Sequence, residues 1–189
     1  MKRTAFLFLY LLIGLAAGRA FAAKPLFDNE TEDPTNGWSH VTPAFAKVLM
    51  KHEAQLQDLS GFAEAGEIPK DASTRLVQKA VPIGLHGQKV LYVRPTLEPY
   101  FTPFYGAHIF QHWLVLNGHI FYEDSSDGFR VLSSAHDGMR DIEETQCTAV
   151  DCNSMRLKFD RKSRSYKAAS CREAPALDKN KTKPCGLGQ

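Results

Sequence analysis

The sequence predicts an α+β fold: one N-terminal amphipathic helix followed by an antiparallel β meander of about six to seven strands. Three observations predict it. Apolar residues recur at spacings of three and four over one stretch, residues 42–59. From residue 74 onward the chain breaks into short β-branched and aromatic segments. Those segments are separated by Asn-Gly, Asp-Gly and charged turns too short to hold a crossover helix, so neighbouring strands run antiparallel.

Residues 1–22 read as a secretory signal peptide. Lys2 and Arg3 form a positive start, Ala5 to Ala17 an apolar stretch, and Ala20-Phe21-Ala22 a small-x-small cleavage site. An uncleaved anchor is the alternative, but the apolar run is short for a membrane span. No stable span is expected after cleavage. The whole chain carries 23 Lys+Arg against 21 Asp+Glu. Cleavage after Ala22 removes Lys2, Arg3 and Arg19 and no acid, leaving 20 against 21, a net −1. A chain so near neutrality lacks the positive field that phosphate neutralisation favours, and nucleic acid is not expected as a partner.

Residues 23–41 are acidic, broken by prolines, and read as an extended arm anchored by Trp38. The helix follows, with Thr42 as N-cap, Pro43 at the first helical position, and Phe45, Val48, Leu49, His52, Leu56 and Leu59 on one stripe. Ser60-Gly61 is expected to end it. TRLVQKAV, KVLYVRP, IFQHWLVLN, HIFYE, FRVLSS, RDIEETQC, MRLKFD and SYKAAS supply the strands of a single domain over residues 42–171. Asp127-Gly128 and Asp137-Gly138 predict two successive tight reversals. Residues 172–189 form a polar tail.

Cys147, Cys152, Cys171 and Cys185 fit an exported protein with two disulfides. Three connectivities are open. Cys147–Cys152 with Cys171–Cys185 is favoured, the second tethering the tail through Cys185. Zinc would want two closely spaced cysteine pairs, and only one is present.

VLSSAHDGMRDIEE, residues 131–144, carries the residue types of a hydrolase: Ser133, Ser134, His136 and Asp137. A Ser-His-Asp set draws its members from separate segments, and no G-x-S-x-G surrounds either serine. Asp137-Gly138 is read as a turn instead. Arg140 and Asp141 are read as a staple, paired with each other or bonded to backbone at a sheet edge. His108 and His112 share a strand face but lie about 13 Å apart along it, too far for one metal. No metal, cofactor or catalytic residue is assigned. The loop EPYFTPFYGAH, with Tyr100, Phe101, Phe104, Tyr105 and His108, is the expected partner-binding surface, since proline-restrained aromatics lose little entropy on docking. The competing reading folds those aromatics over the sheet as a lid.

In order, VLYVRP, YGAHIFQHWLVL, FRVLSSAHDGMRDIE and LKFDRKSRSYK resemble a class of small exported Gram-negative proteins of mostly unknown function. That class shares GAH, an apolar strand, VL-x-S/T, N/D-G-x-R-D and a closing hairpin. The resemblance covers about residues 88–168, and departs at Met139, where the class has an aromatic, and at RKSR, where it has a tight turn. It implies a compact β-rich exported domain and no established activity. The functional expectation is a periplasmic or secreted, non-enzymatic binding module with a protein partner in the cell envelope, possible forms being an inhibitor or immunity protein. The alternative is a metalloprotein or envelope hydrolase using His108, His112 and His136 with Asp137.

Overall fold

A computed structural model describes residues 24–31, 36–105, 109–178 and 181–186. In chain order the elements are β1 Phe27–Asp28, β2 Ser39–His40, α1 Pro43–Glu53, α2 Ser60–Glu64, β3 Leu76–Val81, β4 Val90–Pro95, β5 Phe110–Leu116, β6 His119–Ser126, β7 Gly128–His136, β8 Met139–Cys147, β9 Asp151–Asp160, β10 Ser165–Pro175 and β11 Lys183–Pro184. The α+β class holds in outline. Two features of the expectation are corrected. Short strands β1 and β2 precede the helix, and the strands form two sheets rather than one meander.

One sheet runs β1-β7-β8-β9-β10-β11 and the other β2-β3-β4-β5-β6, with every pairing antiparallel. The first core lies between the sheets, where Val90, Tyr92, Phe110 and Leu114 meet Phe129, Val131, Ile142 and Leu157. The second lies on the other face of β3–β5, where Leu49, Leu76, Val93, Phe101 and Trp113 pack together. The layers are therefore helix, sheet, sheet. Alternation explains it: even-numbered residues of β5 face the partner sheet and odd ones face the helix. β4 and β5 are buried on both faces, which is why VLYVRP and FQHWLVL read as continuous apolar runs.

Thr42 Oγ1 accepts from Phe45 N at 3.2 Å, so the predicted cap of α1 stands. The helix stops at Glu53, however, six residues before Leu59. Past it the chain tightens, with Gln55 N donating to His52 O and Leu56 N to Glu53 O. Its buried face is Ala46, Leu49 and Glu53, while Val48 and Leu56 point to solvent. Ser60 opens α2 rather than ending α1.

Asn117-Gly118 and Asp137-Gly138 are hairpin turns with positive φ at both positions, 53° and 79°, and 51° and 89°. Asp127-Gly128 is not. It carries the chain from β6 in one sheet to β7 in the other, and a Cβ on Gly128 would lie 3.2 Å from the Glu30 carboxylate. The two sheets also meet through the β3–β4 loop: Gly84 bridges Met139, Arg140 N donates to Ile83 O, and Leu85 N to Gly138 O. Gly84 has no room for a side chain there, since a Cβ would fall 2.6 Å from both Cβ and O of Gln88.

Cys147 is bonded to Cys152 and Cys171 to Cys185. The first joins directly opposed residues of β8 and β9, and the second ties β10 to the chain leaving β11. Both fit an oxidising compartment. Among the described residues no helix is long and apolar enough to cross a membrane. The expected signal peptide lies outside the described residues.

Candidate functional site

Three histidine–carboxylate pairs and one cleft hold the chemistry of this molecule. The first pair sits on VLSSAHDGMRDIEE. Between the pairs Val131↔Ile142 and Ala135↔Arg140, Leu132, Ser133 and Ser134 of β7 stand opposite Asp141 alone. This bulge turns Ser134 toward Asp141, and the hairpin turn brings His136 over it. Ser134 Oγ donates to Asp141 Oδ2 at 2.6 Å, and His136 Nδ1 lies 2.5 Å from Oδ1. Arg156 Nη2 and Nε donate to Oδ2 at 2.7 and 3.2 Å. The Asp141 side chain is fully buried. Burial pushes its pKa up, but the bonds from Ser134, His136 and Arg156 together outweigh that and hold it below the usual value.

Of the two forms expected of the staple, Arg140 takes the backbone-bonded one. Arg140 does not pair with Asp141. Its Nη1 donates to Ser133 O at 2.9 Å, and its carbonyl accepts from Tyr166 Oη at 2.6 Å. Arg156, on the neighbouring strand β9, is the cation of the hub. Asp137 accepts from Arg161 N at 3.1 Å, which locks the β7–β8 turn to the β9–β10 turn.

The second pair is in the core between the sheets. His112 Nε2 lies 2.8 Å from Glu144 Oε1, and the imidazole stacks on Tyr92 with centroids 5.5 Å apart. His112 is wholly buried, and its Nδ1 has no partner among the described residues. Burial raises the Glu144 carboxyl above its ordinary pKa, with His112 opposing. His112 and His136 do not meet. Their carboxylates, Glu144 and Asp141, are three residues apart on β8 and so face opposite sides of the sheet. His108 lies outside the described residues.

The third pair escaped sequence reasoning. His52 Nε2 at the end of α1 lies 2.7 Å from Glu123 Oε2 on β6. Glu53 beside it accepts from Trp113 Nε1 at 2.7 Å and from Gln57 Nε2 at 3.1 Å. Burial raises the Glu53 pKa, against those two hydrogen bonds. The donor atoms of His52, Glu53 and Glu123 lie within 4.8 Å of one another, which makes them the set that could hold a cation among the described residues. Their signal in the sequence was slight: His52 stands on the stripe read for the helix, with Glu53 next to it.

The aromatic loop divides in two. Phe101 and Phe104 are corrected from surface to core, 0% and 4% exposed, with Phe104 edge-on to Trp113 at 5.4 Å. Two prolines fold the chain back and the rings complete the helix-side core. Tyr100 is 61% exposed and leans on half-buried Tyr105, with centroids 4.8 Å apart. Leu97 is exposed beside them. Thr96 Oγ1 donates to Pro99 O at 2.7 Å and Arg75 Nη1 to Tyr100 O at 2.9 Å, so the tip is held from both sides.

The cleft lies at the opposite end of β4 and β5, where Val90 pairs with Leu116. The β3–β4 loop and the β5–β6, β7–β8 and β9–β10 turns converge there. One lobe, about 780 Å³, is bounded by His52, His119, Phe121, Glu123 and Arg164. A second, about 560 Å³, is bounded by His86, Met139, Phe159, Arg161 and Arg164. Leu116 and Arg164 belong to both.

No family model, curated protein or solved structure matches the chain.

Proposed function

We propose that this protein is a non-enzymatic binding module of the cell envelope, periplasmic or secreted, that engages a protein partner through the loop at residues 96–105. Its most concrete form is an inhibitor or immunity protein acting on an envelope-directed enzyme such as a peptidoglycan hydrolase. The kinship with small exported Gram-negative proteins belongs to the same proposal.

The division of the aromatic loop carries this reading. Phe101 and Phe104 anchor it in the core, while Tyr100 and Leu97 stand in solvent on a backbone bonded to Thr96 and Arg75. A surface fixed before contact loses little entropy on binding, and tyrosine is among the side chains enriched at binding hot spots. The test is a pull-down from envelope extract with the disulfides intact, comparing the native chain with a Leu97→Ala, Tyr100→Ala variant. Recovery of one dominant exported protein by the native chain alone supports the proposal. Equal recovery by both removes the loop as the surface.

The metalloprotein alternative finds its support at His52, Glu53 and Glu123 rather than at His112 and His136. Two carboxylates and one imidazole suit zinc or manganese. Equilibrium dialysis against each ion separates the readings: one bound ion, lost in Glu123→Gln, favours the metal.

A further inference from the structure

Arg161, Arg164 and His86 border the cleft without a side-chain partner among the described residues. Two arginines on the strands behave differently: Arg130 contacts Asp28, Glu30 and Glu143, and Arg156 contacts Asp141. Two guanidiniums and an imidazole border one lobe whose single lining carboxylate is Asp137, while Glu123, on the lobe that shares Arg164, is engaged by His52. Arginine forks suit carboxylate and phosphate oxygens.

Beside these groups part of the cleft wall is apolar. Leu116, Phe121, Met139 and Phe159 contribute to its walls. Phe121 and Phe159 meet edge-on at 6.2 Å, and Tyr166 packs against both. The bulge in β6 lets this happen. Leu114 pairs with Tyr122 and Val115 with Ile120, so Phe121 is the extra residue and turns toward the gap between the sheets. Concave, mostly apolar space with a few convergent polar groups is the general form of a small-molecule site, and both lobes fall in the usual size range.

We propose that this cleft binds an anionic amphiphile: a phosphate monoester or carboxylate held by Arg161, Arg164 and His86, its apolar body lying against Leu116, Phe121, Met139 and Phe159. The site is at the far end of β4 and β5 from the aromatic loop, so its occupancy and partner binding are independent questions.

Calorimetric titration of the full mature chain with octyl phosphate, below its micellar concentration and at low salt, tests this. Octyl glucoside supplies the same chain without charge, and inorganic phosphate supplies the charge without the chain. The expected result is saturable one-to-one binding of octyl phosphate, with both controls weaker by about tenfold or more. Arg161→Gln with Arg164→Asn should weaken it by a similar factor while leaving the thermal midpoint unchanged. Asparagine is used because Arg164 has φ of 55°, which asparagine tolerates. Equal binding of octyl glucoside, no saturable binding, or full binding by the double variant would each overturn the proposal. Where octyl phosphate binds, co-sedimentation with phosphatidylglycerol vesicles and not with phosphatidylcholine assigns the anion to a lipid headgroup. No co-sedimentation with either assigns it to a free amphiphile.

Discussion

Ser134 donates its hydroxyl hydrogen bond to Asp141, not to His136, although all three side chains meet in one cluster. The order of contacts decides the chemistry. A nucleophilic serine needs a base at its own oxygen. Here the oxygen also accepts from Arg156 Nη2 at 2.5 Å, and the aspartate takes both the hydroxyl and the imidazole. A fluorophosphonate probe is therefore expected to leave Ser134 unmodified, as read by intact-mass spectrometry. Stoichiometric labelling that Ser134→Ala abolishes would refute this.

Asp141 also sets an acid-sensitive part of the stability. Its folded pKa lies below the ordinary 3.8, so its contribution is present above that value and lost as pH falls through the lower, native one. Glu53 and Glu144 act in the opposite sense, because their raised pKa values make the charged forms costly as pH rises past 4.5. Asp141→Asn should cost about 2–3 kcal/mol at pH 7, since Arg156 and His136 lose a buried anion. The difference from the native chain should hold above pH 3.8 and narrow as the pH falls below it. Urea unfolding at each pH measures it; a constant difference would contradict the assignment.

His112 and Glu144 should prove coupled. His112→Leu strands a buried carboxylate and is expected to cost about 3 kcal/mol or more. Glu144→Leu leaves a buried imidazole with neither nitrogen paired. The double substitution replaces the pair with packed apolar groups and should recover about 1 kcal/mol or more relative to the sum of the singles. Additive losses in chemical denaturation would show that the contact contributes nothing.

The two disulfides should differ in consequence. Cys147–Cys152 closes a loop across opposed residues of β8 and β9, and its removal by paired serine substitution should cost about 2 kcal/mol by chain entropy. Cys171–Cys185 fixes little beyond the two-residue β11. Its removal should expose the chain after Pro175 to limited proteolysis while the thermal midpoint moves less than for the first pair.

Strand identity was legible from local signals. TRLVQKAV through SYKAAS each became a strand, because β-branched content and Asn-Gly or Asp-Gly turns act within a few residues. The partition into two sheets was not. Asp127-Gly128 looks like Asp137-Gly138 in the chain, and only the long-range placement of β7 beside β1 distinguishes a sheet-to-sheet passage from a hairpin. The stripe on α1 misled for a related reason: Val48 and Leu56 fit its period, yet the helix presents Glu53 to Trp113 instead. At the site, Asp141 and the turn at Asp137-Gly138 could be singled out. Arg156 could not, since it reaches Asp141 through the pairing of β8 with β9. Nor could the cleft, whose walls come from four separated turns.

The extra residue in β6 has a further consequence for how copies of this chain meet. β6 closes one sheet with an open flank, the kind of border on which a second chain adds most readily. Phe121 breaks its register in the middle, and His119, Glu123 and Asp124 place ionisable groups along it. An incoming strand would find the repeat interrupted and would have to desolvate those groups. The irregularity that shapes the cleft thus also discourages edge-to-edge aggregation.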